Sequence, residues 1–198
     1  MYNIVTIERQ YASGGNEIGK KLAHELGYQF HDRSILVEAA KRLGIPSSYI
    51  EDLEETAPGS IIFNLSQTAL GGSQKDYNNL PLAEKLFLEE KKIIEEFIEK
   101  GNCVIVGRCA SAILANHTDC LNVFIHADNG FRINRAVHHE GIPKDDVEAI
   151  LKKIDKRRKN FYQTHTDWEW GTKEHFHVIL DSGKLGIDPC VSLLKSLC

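Results

Sequence analysis

A short β-rich run from Tyr2 to Ile7 leads through Glu-Arg-Gln-Tyr-Ala-Ser-Gly-Gly into a helix-period segment from Asn16 to Leu26. A helix entered this soon after a strand packs back across it, and the next strand then pairs in parallel through a right-handed crossover. Ile18, Leu22 and Leu26 recur four apart on one helix face, and Gly27 stands where a left-handed stop belongs. The alternation of apolar runs with helical segments continues to the end of the chain. That pattern predicts an α/β fold with roughly five parallel strands.

A second helix is predicted after a further apolar stretch, with Asp32 as its N-cap and Leu43 as its end. Residues 45–80, broken by prolines and Gly71-Gly72, read as short helices and a loop. A long helix from Leu82 to Lys100 buries a stripe of Leu86, Ile93, Ile94, Phe97 and Ile98. Cys103 to Val106 and Leu121 to His126 are strand candidates, with a short helix over Ala110 to Leu114 between them. Asp128 caps a helix to His139, and Pro143 opens another that ends in the basic run Lys152 to Lys159. Val178 to Leu180 is the last strand candidate, and Asp188-Pro189 starts a final helix.

At 198 residues the chain is expected to form one domain, residues 1–198. A net charge of −4 argues against a dedicated nucleic-acid binder, and no apolar run approaches a membrane span. The N-terminal run lacks the basic start and long apolar core of a signal peptide. Five cysteines, an odd number without zinc spacing, point to buried thiols in a reducing, cytoplasmic setting. His175 and His177 are expected to share a strand face, but no spacing among the nine histidines marks a metal site.

The chemistry is expected at the first turn. Unpartnered N–H groups at a helix start attract anions, and small residues let a phosphate approach the backbone. Ala12, Ser13, Gly14 and Gly15 meet that need. Laid against the phosphate loop G-x-x-x-x-G-K-[ST], the chain has Arg9 at the first Gly, Gly15 at the Lys and Asn16 at the hydroxyl residue. Gly107-Arg108 follows a buried strand, at the edge where open α/β sheets bind ligands, and Asp32-Arg33 lies at a similar edge. Arg132 and Arg135 fall three apart on one helix face, and Lys156, Arg157 and Arg158 lie near the end of another.

Five ordered blocks resemble the cytidylate kinase-like group of nucleoside monophosphate kinases: NIVTIERQYASGGNEIGKKLAHELGYQFHDRSIL, VIVGRCASAIL, FIHADNGFRINRA, DKRRKNFYQ and VILDSGKLGID. The resemblance implies a three-layer P-loop kinase fold, a five-stranded parallel sheet flanked by helices. It also implies a helical acceptor-binding segment, residues 33–81, and a small lid, residues 156–175. The implied activity is transfer of the ATP γ-phosphoryl group to a nucleoside monophosphate, CMP or dCMP first, or another small phosphoryl acceptor. By resemblance Ala12, Ser13, Gly14, Gly15, Asn16 and Glu17 would cradle the donor phosphates. Asp32, Arg33, Gly107 and Arg108 would hold the acceptor. Arg9, Arg132, Arg157 and Arg158 would act on the transferring group, with Asn16 offering its carbonyl oxygen to Mg²⁺.

The chain departs from the pattern in lacking the loop lysine and hydroxyl, and Cys109 stands where cytidylate kinases carry Asp. Two alternatives stay open on the sequence. One is a non-catalytic nucleotide-binding sensor. The other is a module that keeps only the fold, with Gly71 to Asn79 as a docking loop. The sequence does not set the oligomeric state.

Overall fold

The computed structural model describes residues 2–46 and 80–198. Strand β1 (Ile4–Arg9) lies at the centre and pairs in parallel with β3 (Cys103–Val106) and β4 (Cys120–His126). Strands β2 (Gln29–His31) and β5 (Val178–Asp181) extend the sheet outward, giving the order β2-β3-β1-β4-β5 with every pair parallel. The three inner strands are covered on both faces, which is why β3 reads as an unbroken apolar run. The five-stranded sheet expected from the sequence is thus present.

Helix α1 (Gly15–Leu26) and the last helix, α8 (Ile187–Lys195), cover one face. Val5 and Ile7 of β1 meet Ile18, Leu22, Val191 and Leu194 there. On the other face, α2 (Ser34–Arg42) and α3 (Leu82–Glu99) pack over Ile4, Ile105 and Cys120. Among the described residues the remaining helices are α4 (Ala110–Ile113), α5 (Asn129–His139), α6 (Val147–His165) and α7 (Ser182–Leu185). Asp128 caps α5 as expected, accepting the Phe131 N–H at 3.0 Å.

Several boundaries differ from the sequence expectation. β1 runs two residues further, because Glu8 and Arg9 pair in register with Phe124 and Ile125 of β4. Asp32 does not cap α2 with its side chain; the carboxylate instead accepts the Asn16 amide N–H at 3.1 Å. The basic run does not end α6. That helix continues to His165, because Phe161 and Tyr162 pack inward and no breaker intervenes. His175 and His177 do not share a strand face. His175 lies in a 3₁₀ turn and stacks on Trp168, while His177 Nδ1 accepts the Asn122 N–H. Most of the segment 45–80, with its expected short helices and loop, lies outside the described residues.

All five cysteines are free, and four are buried. Burial pushes the Cys103 and Cys120 thiols up to about 11 and about 12. Among the described residues no helix is long and apolar enough to cross a membrane, and no cluster of three His, Cys, Asp or Glu could hold a metal ion.

Candidate phosphate-binding site

The turn from β1 into α1 is fixed by its own main chain. The Gln10 N–H donates to the Ile125 carbonyl at 3.0 Å, and the Gln10 side-chain oxygen accepts the Ala127 N–H at 3.2 Å. Ser13 Oγ donates to the Gln10 carbonyl at 2.9 Å, and Ser182 Oγ donates to the Ser13 carbonyl at 2.6 Å. The Ser13 hydroxyl therefore braces the loop. The first helical bond runs from the Ile18 N–H to the Gly14 carbonyl, so the N–H groups of Gly15, Asn16 and Glu17 precede the helix ladder. They form the positive end of a 12-residue helix.

Gly14 has φ +79°, a region open to glycine, and a Cβ there would run into Ile187. Gly15 is required by a close approach. A Cβ on it would lie 2.6 Å from Arg9 Cβ and 2.9 Å from Arg9 Cγ. The two departures from the phosphate-loop pattern are therefore one linked exchange. Arg9 occupies the position of the first glycine, its stem covers position 15, and no lysine fits beneath it. Its guanidinium lies over Gly107, at the end of β3.

Helix α6 is fastened to this turn at two points. Arg158 Nη1 donates to the Arg9 carbonyl at 3.1 Å. Asp155 accepts the Tyr11 N–H through one oxygen and Arg132 through the other, both at 2.7 Å. Burial, together with the neighbouring Arg9 charge, pulls the Arg158 pKa down. An anion beside the two guanidinium groups would relieve that repulsion. Arg132 is only 4% exposed, so its place is to tie α5 to α6. Arg157 is partly exposed and Arg33 is exposed at the start of α2.

Arg108 sits at the next edge with its guanidinium 4.5 Å from the centre of the Phe161 ring. It forms an ion pair with Glu90 of α3, which is fully buried. Arg108 and Cys109 have φ of +60° and +57°, and Ala12 has +56°. Each such residue costs on the order of 1–3 kcal/mol, and the conformation persists only where the surroundings enforce it. At Arg108 the turn is held by the Gly107 N–H bond to the Ile7 carbonyl and by the Ala110 N–H bond to the Gly107 carbonyl, and the side chain by its pair with Glu90.

Several residues of the site were not singled out by the sequence. Glu8 is 4% exposed at the end of β1. Burial raises its carboxyl above the usual range, although Arg9, Arg158 and Arg108 oppose the shift. The buried Trp170 indole N–H points at this carboxylate and also opposes the shift. Asp155, Glu90 and the buried Ser111–Tyr162 hydroxyl pair (2.9 Å) belong to the same polar region. The available signal for Glu8 was an acid inside an otherwise apolar strand; for Asp155 it was a lone acid within a basic run.

The Asn16 amide nitrogen donates to the Asp32 carboxylate on the α1 side, so the pair also carries two hard oxygen donors, the amide oxygen and the carboxylate. Hard oxygen donors of this kind, with waters completing the shell, suit Mg²⁺.

A family model described as the cytidylate kinase-like family matches residues 4–184. The chain is 22% identical over 196 residues to a cytidylate kinase from Ignicoccus hospitalis, covering 98% of each. A solved structure of an uncharacterized protein from Eubacterium ventriosum has a TM-score of 0.71 at 22% identity, covering 98% of this chain and 96% of that one. Shikimate kinase from Acinetobacter baumannii has a TM-score of 0.54 at 13% identity, covering 100% and 93%. Likeness at these identities establishes a common fold.

Proposed function

The chain belongs to the cytidylate kinase-like family, and from that premise we propose that it transfers the γ-phosphoryl group of ATP to a nucleoside monophosphate, with CMP or dCMP as the first acceptors. Phosphoryl transfer asks the protein for positioning and positive charge more than for covalent chemistry. The observation that carries the reading is the linked exchange at Arg9 and Gly15. It keeps a cation beside the phosphate loop, over Gly107 at the end of β3, although the loop lysine is gone, and Arg158 is bonded to the same residue.

In this reading Gly14, Gly15, Asn16 and Glu17 receive the donor phosphates, with Ala12 and Ser13 shaping the loop. Arg9 and Arg158 stabilise charge on the transferring group. Arg132 holds α5 against α6, and Arg157 joins the closure of residues 156–175 over the site. Asp32, Arg33, Gly107 and Arg108 face the acceptor, with residues 33–81 forming its binding segment. Asn16 and Asp32 would hold Mg²⁺, which supplies charge neutralisation at the phosphates. The free cysteines support a cytoplasmic setting.

The test is ADP release from Mg·ATP with CMP, dCMP, UMP, AMP and GMP as acceptors. Turnover is expected, led by CMP or dCMP. ATP binding without turnover on any monophosphate would remove the kinase assignment.

A further inference from the structure

We propose, resting on the kinase reading above, that Glu8 is a positioning residue for phosphoryl transfer: its buried carboxylate gathers the guanidinium groups of Arg9, Arg108 and Arg158 about one point, where the transferring group passes. The three cations come from three places in the fold. Arg9 follows Glu8 on β1, and its Cζ lies 3.2 Å from where a Cβ on Gly107 would sit. Arg108 follows Gly107, whose N–H donates at 3.0 Å to the carbonyl of Ile7, the residue before Glu8. Arg158 comes from α6 and is fastened to the Arg9 carbonyl at 3.1 Å. Glu8 faces all three. In the kinase reading Arg9 and Arg158 serve the transferring group and Arg108 the acceptor, so one carboxylate spans both sides of the reaction.

The carboxylate is itself held in place. Glu8 lies in register with Phe124 of β4. The Phe124 ring meets Trp170 edge-on at 5.2 Å between centroids, and Gly171 is so close that a Cβ on it would lie 3.0 Å from Phe124 Cζ. That packing aims the Trp170 indole N–H at Glu8. The other titratable groups facing Glu8 are Cys109 and Tyr162, and burial pushes both up, so they stay neutral. Three guanidinium groups this close repel one another and turn toward water unless an anion stands among them. The need is greatest at Arg158, which burial and Arg9 pull down to about 9 while Asp155, Glu8 and Glu140 act the other way. An acid that costs stability inside an apolar strand, yet faces three cations, marks a functional group rather than a piece of scaffold.

The experiment compares wild type, E8Q and E8D in steady-state assays with Mg·ATP and CMP from about pH 5 to 10. Glutamine keeps the size and removes the charge; aspartate keeps the charge. At neutral pH E8Q is expected to lower kcat by about 10- to 100-fold, the order of loss that a displacement of about 1 Å causes. The acceptor KM should not rise, because removing an anion leaves the attraction for phosphate intact. E8D is expected to stay within about 10-fold of wild type. The gap between E8Q and wild type should close as pH falls and Glu8 takes up its proton, and the alkaline loss of kcat/KM, set by Arg158, should begin at a lower pH in E8Q. Wild-type kcat in E8Q, a rise in KM alone, a gap that persists at acid pH, or an E8D no better than E8Q overturns the proposal and leaves the kinase reading standing. A wild-type protein that turns over no monophosphate overturns both. If E8Q does not fold, W170F carries the test. Losing the indole N–H raises the Glu8 pKa, so the acid loss of kcat should begin at a higher pH than in wild type, and an unchanged acid limb rejects the role.

Discussion

The two faces of the sheet are built from alternate residues of the same strands; one is apolar throughout, while the other adds a buried polar end to the apolar cluster of Ile4, Ile105 and Cys120 under α2 and α3. Toward α1 and α8, Val5 and Ile7 meet Ile18, Leu22, Val104, Val123 and Leu194 in an apolar layer. Toward α3, α4 and α6, Thr6 and Glu8 meet Asn122, Ser111 and Tyr162, with the Glu90–Arg108 pair nearby. The first face draws its stability from area removed from water, which needs no particular partner. The polar end of the second depends on each buried charge keeping its counterpart. One strand therefore carries both the scaffold and the chemistry, divided by a period of two.

Substitutions that separate the faces follow from this. Asp155→Ala should have the largest effect on stability, about 3–5 kcal/mol, because it strands the buried Arg132 and frees the Tyr11 N–H. Chemical denaturation measures it, and a loss below 1 kcal/mol would mean that α6 is not fastened through this residue. Arg9→Ala should lower kcat by about 10²–10³, equivalent to about 3–4 kcal/mol. An unchanged kcat in a steady-state assay would remove Arg9 from the transfer step. On the apolar face, Leu22→Ala should cost about 3 kcal/mol of stability with kcat unchanged. A kcat that fell with it would break the division between the faces.

Glu8→Gln tests the polar face by pH. A carboxyl whose folded pKa is raised above 4.5 favours folding below that value and loses the contribution as pH rises through the folded pKa. The variant should therefore unfold at a higher temperature than wild type at pH 7–8. The gap should close as pH falls below 4.5, which thermal scans across that range will show. The smallest change is expected at the rim, where Lys195→Ala removes an exposed pair with Glu25. It should shift stability by less than about 1 kcal/mol, and a larger shift would make the rim part of the scaffold.

What the sequence revealed follows the same division. β3 from Cys103 to Val106, the Gly27 stop and the Asp128 cap are legible in the sequence, and all three signals are local. The end of β1 is not legible, because its pairing with Ile125 is set 116 positions away in the chain. Arg132 and Arg135 stood out as a helix-face pair, but their acids, Asp155 and Glu17, come from other elements. A buried charge looks like a surface charge in sequence until its partner is known. The exchange between Arg9 and Gly15 was visible as two departures from a motif, and its linkage needed the distance between them.

The contacts that fasten the phosphate loop share one property. Asp155 accepts the N–H of Tyr11, Arg158 donates to the carbonyl of Arg9, and Ser182 donates to the carbonyl of Ser13. All three grip the main chain. Loop residues can then be exchanged without unfastening these clamps, provided the new side chain has room and suits the local φ. Such a loop is open to evolutionary drift in its side chains while its path stays fixed, which is a physical route by which a phosphate loop could shed its lysine.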